Sequence, residues 1–89
     1  MRQIAPEGIL EEAAKLVHGS RQEDYGDPLQ SLERVAMMWS AILGVTVAPE
    51  QVPLCMIALK ISRECNRPKR DNRVDIAGYA ELLQMVTDR

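Results

Sequence analysis

The chain has 89 residues, of which 46% are hydrophobic, and a formal net charge of −2. That length predicts one small domain, and a charge balance this close to neutral argues against a long nucleic acid as partner, because general nucleic-acid binders are strongly basic. One Trp, two Tyr and no Phe leave a core of Leu, Ile, Val, Met and Ala, which favours helices and, in so short a chain, self-association.

In chain order, residues 1–5 read as a flexible arm. Pro6 suits the first turn of a helix over 6–18, in which Ile9, Leu10, Ala13, Leu16 and Val17 recur at helical spacing and Gly19 is the stop. His18 falls at the end of that helix, where the dipole favours a cation. Residues 19–27 are polar, carry Gly19 and Gly26, and predict a loop. Asp27-Pro28 is a helix start, with Asp27 as N-cap and Gln30 three residues on. The helix over 28–43 carries Leu32, Val35, Ala36, Trp39, Ile42 and Leu43 as one apolar stripe and stops at Gly44. Val45 to Ala48 is a short β-branched connector. The next helix starts at Pro49 or Pro53, since proline is tolerated only in a first turn, and runs through Leu54, Ile57, Ala58 and Ile61 to Cys65. Asp71 then caps a last helix that reaches Thr87 with Ile76, Ala80, Leu83 and Val86 inward. The pattern predicts one all-α domain over 1–89, a compact four-helix fold with short loops.

Cys55 and Cys65 lie on one predicted helix, ten residues and roughly 15 Å apart, too far for a disulfide to each other. They read as buried thiols in a reducing cytosol. There is no signal-peptide pattern and no apolar run of the length a membrane span needs. A cytoplasmic protein with no membrane partner is expected.

The stretch from Lys60 to Tyr79 carries the chemistry. Between residues 63 and 73, five cations and two anions give a local +3, while six cations and eleven anions leave the remainder at −5. A basic turn on an acidic body suits a small anionic ligand. Lys60 and Arg63 share one helix face, and Asp71, Asp75 and Tyr79 share another. A fold-back at Pro68 brings the two faces toward one cleft. Lys60 and Arg63 either grip phosphate or pair with Asp71 or Asp75, and Tyr79 either stacks on a base or fills the core. Arg21, Asp24 and Tyr25 stand in the 19–27 segment without a capping role; Tyr25 is a candidate for base stacking. No zinc spacing, glycine-rich phosphate loop or serine elbow is present.

The succession R-x-x-x-Y-G-D-P (Arg21, Tyr25, Gly26, Asp27, Pro28), Trp39, K-I-x-R (Lys60, Arg63) and D-x-x-x-D-I-A-G-Y (Asp71, Asp75, Tyr79) resembles the small all-α phage proteins grouped with the nucleotide-modification-associated domains. That resemblance implies a nucleotide without naming a reaction. A more distant likeness is to the MazG-type nucleoside triphosphate pyrophosphohydrolases, which hold magnesium with an E-x-x-E on one helix and an E-x-x-D on the next. This chain has no E-x-x-E. The reading is therefore a binder of a phosphorylated nucleotide, including cyclic signalling nucleotides, working as a homo-oligomer without a resident metal. Its candidate ligand residues are Arg21, Asp24, Tyr25, Lys60, Arg63, Asp71, Asp75 and Tyr79. A magnesium-dependent nucleotide phosphohydrolase, an accessory to nucleotide modification and a helical adaptor are the alternatives.

Overall fold

The computed structural model describes residues 7–89, so the expected arm over 1–5 and the helix start at Pro6 lie outside the described residues. Among those residues the fold is all-α, with no strand. Helix α1 spans Ile9–Lys15, widens into a π turn over Leu16–Ser20, and leads directly into a short α2, Arg21–Tyr25. The polar segment over 19–27 is thus mostly helical, where the sequence predicted a loop. Gly19 does not stop the helix. Its φ of −114° and ψ of −106° depart from helical values and bend the axis, as glycine-bearing π bulges do. Arg21, Gln22 and Glu23 are good helix formers that carry the chain on for another turn. The stop is Gly26, at a φ of +80°, whose N–H still donates to the Gln22 carbonyl at 2.9 Å.

Helix α3 is Pro28–Leu43, bounded as its sequence predicts. The Asp27 carboxylate accepts from the Gln30 N–H at 3.1 Å, Pro28 occupies the first turn, and Gly44 closes the helix in the left-handed region at a φ of +72°. Ser40 Oγ donates to the Ala36 carbonyl and accepts from the Val47 N–H at 2.8 Å, which turns the connector back onto the core. Helix α4, Gln51–Asn66, begins between the two candidate prolines and keeps Pro53 in its first turn. Helix α5, Arg70–Thr87, begins at Arg70, so Asp71 lies inside the first turn and Lys69 holds the N-cap position without a capping side chain. With the bent segment over 9–25, these make the four helical units.

Helices α4 and α5 fold back on each other across the turn at residues 67–69 and form the spine of the molecule. Leu32 and Ala36 of α3, Val52 of α4 and Val86 of α5 form a buried cluster, with Leu29, Val35, Trp39 and Val47 packed against it. On the other side of α5, Ala13 and Val17 are buried, and a Cβ built on Gly78 would meet Val17 at 3.4 Å. That is an ordinary contact distance, so the packing on Val17 leaves room for a Cβ at this mid-helix glycine.

Several residues read as core are not covered. Ile42, Leu43, Leu54 and Ile61 are exposed, as is Ala80. Cys55 and Cys65 are free thiols, exposed rather than buried. The apolar stripes on α3 and α4 run past the length and width of the neighbours this chain provides. His18 does not end a helix; it sits inside the π turn with its Nε2 2.6 Å from Glu81 Oε2 of α5.

Candidate functional site

Asp75 is the centre of the polar chemistry. It lies one turn into α5 on the face toward α4, with its side chain 8% exposed. Lys60 of α4, itself 12% exposed, places Nζ 2.7 Å from Asp75 Oδ2. Arg21 of α2 donates from Nη2 to Asp75 Oδ1 at 3.3 Å, with its side chain 38% exposed. One carboxylate between two cations leaves the triad at +1. The bend at Gly19 is what delivers Arg21 to it, because a chain turning away at that point would leave α2 out of reach.

Each cation of the triad borders a different concavity. Arg21 lines a largely apolar cleft of about 170 Å³ with Tyr25, Pro28, Leu32 and Tyr79, and with Gln22 and Ser31 at its polar rim. Lys60 lines a second, polar hollow with Arg63, Arg67, Lys69 and Asp71, over the turn between α4 and α5. Tyr79 is half-buried and Tyr25 is exposed. Arg63 is exposed and forms no ion pair among the described residues, so the pairing of Arg63 with Asp71 or Asp75 that the sequence allowed is not made. Lys60 does pair with Asp75. Asp71 is exposed at the helix start. Asp24 is exposed and lines neither hollow.

The turn below the basic hollow is held by Glu64, a residue the sequence reading left out. Its carboxylate accepts from the Lys69 N–H at 2.9 Å, the buried Asn72 amide at 3.2 Å and Arg73 Nε at 2.7 Å. Asn72 also donates to the Arg67 carbonyl. These partners, the Lys69 N–H first and Arg73 next, hold the Glu64 carboxyl below its usual range. Glu64 thereby serves as the cap that Asp71 was expected to be, from the preceding helix rather than from α5 itself. Its signal in the sequence is faint: an acid beside Arg63 in a stretch with five cations between residues 63 and 73. Arg67 and Lys69 belong to the basic turn already visible there, although neither was singled out as a ligand residue. At the opposite end of the molecule the Arg89 guanidinium, and then the Gln30 N–H, hold Asp27 below the usual carboxylate range.

Among the described residues, no group of three or more His, Cys, Asp or Glu side chains is placed to hold a metal ion, and no helix is long and apolar enough to cross a membrane. A small helical fold with a partly buried ion triad between a largely apolar cleft and a basic hollow is the class these observations define. Over residues 8–87 the chain matches the domain of unknown function DUF6378, and it belongs to that family. It is 45% identical over 80 residues to the Gene 55 protein of Mycobacterium phage L5, covering 88% of this chain and 51% of that protein. It is 36% identical over 81 residues to the Gene 55 protein of Mycobacterium phage D29, covering 90% and 54%. The chain therefore spans about half the length of these relatives. No solved structure matches it. The likeness to small phage proteins is shown by these relatives, whose names carry no ligand or reaction.

Proposed function

We propose that this chain is a single all-α binding unit for a phosphorylated nucleotide, working as a homo-oligomer in the cytoplasm of a phage-infected cell. The observation that carries the reading is the Arg21–Asp75–Lys60 triad, which joins an aromatic cleft to a basic hollow. Tyr25 and Tyr79 offer ring faces to a base. Arg63, Arg67 and Lys69 offer donors to phosphate, Arg63 through its planar fork. Asp75 fixes Lys60 and Arg21 in place, and its lone pairs accept from both cations, so its role is to position them. Asp71, at the rim of the basic hollow, accepts from a sugar hydroxyl. Asp24 has no support from the geometry. The two tyrosine rings beside a basic hollow support a nucleotide as the ligand class, and a stoichiometric binder that sequesters a nucleotide, cyclic or linear, needs no catalytic acid.

The test is a thermal-shift screen of the 89-residue protein against mononucleotides, dinucleotides and cyclic dinucleotides, with and without magnesium. A ligand present at 100 times its dissociation constant adds about 2.7 kcal/mol of stability. A shift that persists without magnesium, with the nucleotide recovered intact, is the expected result. Consumption of the nucleotide only when magnesium is added would replace binding by the MazG-like phosphohydrolase reading, and no response to any nucleotide would leave the helical adaptor.

A further inference from the structure

The outer face of α4 carries a second apolar pattern that the core does not use. Its inward face is Val52, Pro53, Met56, Ile57 and Lys60, buried or half-buried. On the other side Gln51, Leu54, Ala58, Ile61 and Cys65 are all exposed. Their spacing of 3, 4, 3 and 4 is that of a heptad seam. The exposed positions flanking it, Cys55, Leu59 and Ser62, are also uncharged. A helix that is apolar on both sides is the central helix of a larger bundle. Leu54 is 52% exposed, Ile61 51% and Ile42, at the far end of α3, 78%. Leu59, beside the seam on α4, is 39% exposed.

We infer that the seam on α4 pairs with the same seam of a second copy of this chain, antiparallel about a two-fold axis at Ala58. The inference rests on the homo-oligomer part of the proposed function and not on the nucleotide. An uncharged face suits an isologous contact, in which each group meets its own kind. Ala58 at the axis lets the two helices approach closely. Leu54 then packs beside Ile61 of the partner subunit. Charge selects the antiparallel sense. The basic turn that follows α4 comes to lie opposite Glu50, which precedes it, whereas a parallel pair would set two +3 turns side by side.

Sedimentation equilibrium of the wild-type chain and of Ile61→Glu tests this, with circular dichroism to confirm that the helices persist. Leu54→Lys serves as a second variant. The expected result is twice the 10.0 kDa chain mass for wild type and the single-chain mass for both variants. An oligomer unaffected by either folded variant would overturn the seam while leaving self-association standing. A wild-type chain that stays at 10.0 kDa at about 100 µM, where a dimer with a dissociation constant of about 1 µM is almost fully associated, would remove both and leave nucleotide binding untouched. Oxidation in a Cys55→Ser background reports the orientation. Antiparallel pairing keeps Cys65 about 20 Å from its symmetry mate, so no disulfide forms beyond the level seen in Ile61→Glu. Rapid Cys65 cross-linking would overturn the antiparallel arrangement.

Discussion

Asp75→Ala removes the carboxylate that Lys60 and Arg21 share. Lys60 Nζ sits 2.7 Å away on a side chain only 12% exposed, so it is left as a largely desolvated, unpaired cation. Breaking a buried pair from one side costs about 3–5 kcal/mol. Lys60 retains some access to solvent and Arg21 is free to turn outward, which places the expected loss near the lower end, about 3 kcal/mol. In a domain of this size that lowers Tm by roughly 15 °C. The assay is denaturant unfolding with thermal melts at one fixed protein concentration, because self-association makes Tm concentration-dependent. The m-value should be unchanged. The double variant Asp75→Leu with Lys60→Met replaces the pair by apolar groups of similar volume and should return to within about 1 kcal/mol of wild type. An Asp75→Ala protein that melts within about 3 °C of wild type would refute the reasoning, since it would mean that the triad does not hold in solution.

Glu64 has its folded pKa lowered by the Lys69 N–H, Arg73 and Asn72. A lowered carboxyl contributes stability above its unfolded value and loses it as pH falls through the folded one. Glu64→Gln should therefore be less stable than wild type near neutrality and converge with it below about pH 4, as read from melts across pH; parallel curves would contradict the cap. Gly78→Ala should raise stability by about 0.5–1 kcal/mol, because alanine is the better helix former and the new Cβ meets Val17 at an ordinary contact distance. A loss measured by chemical denaturation would show that the two helices approach more closely than that.

How much of this was legible in the sequence depends on where each signal lies. Asp27-Pro28 and Gly44 mark α3 because cap chemistry is local, and both ends fell where they were expected. The fold-back that brings Lys60 to Asp75 followed from helical spacing and a proline-bearing turn. Residues 19–27 misled because glycine and polarity mark loops and solvated helices alike; only the packing of the bent segment on α5 decides between them. Glu64 was missed as a cap because its partners come from the next helix, beyond the reach of an N-cap rule. Leu54, Ile61 and the two cysteines read as core because periodicity reports apolarity and not cover. A chain that provides no neighbour for that face looks the same in sequence as one that does.

If the basic hollow recognises phosphate, Arg63 is the side chain whose loss shows it. It is exposed and makes no ion pair among the described residues, so its removal leaves no buried charge behind. The measurement is calorimetric titration of wild type and Arg63→Ala with the nucleotide that gives the largest thermal shift, with Tm recorded on the same samples. Arg63→Ala should leave Tm unchanged and lose about 1.5–3 kcal/mol of binding, roughly ten- to hundredfold in affinity, which Arg63→Lys restores only in part because the fork is lost. Equal affinity in wild type and Arg63→Ala, or a wild type that takes up no nucleotide, would contradict phosphate recognition by the hollow.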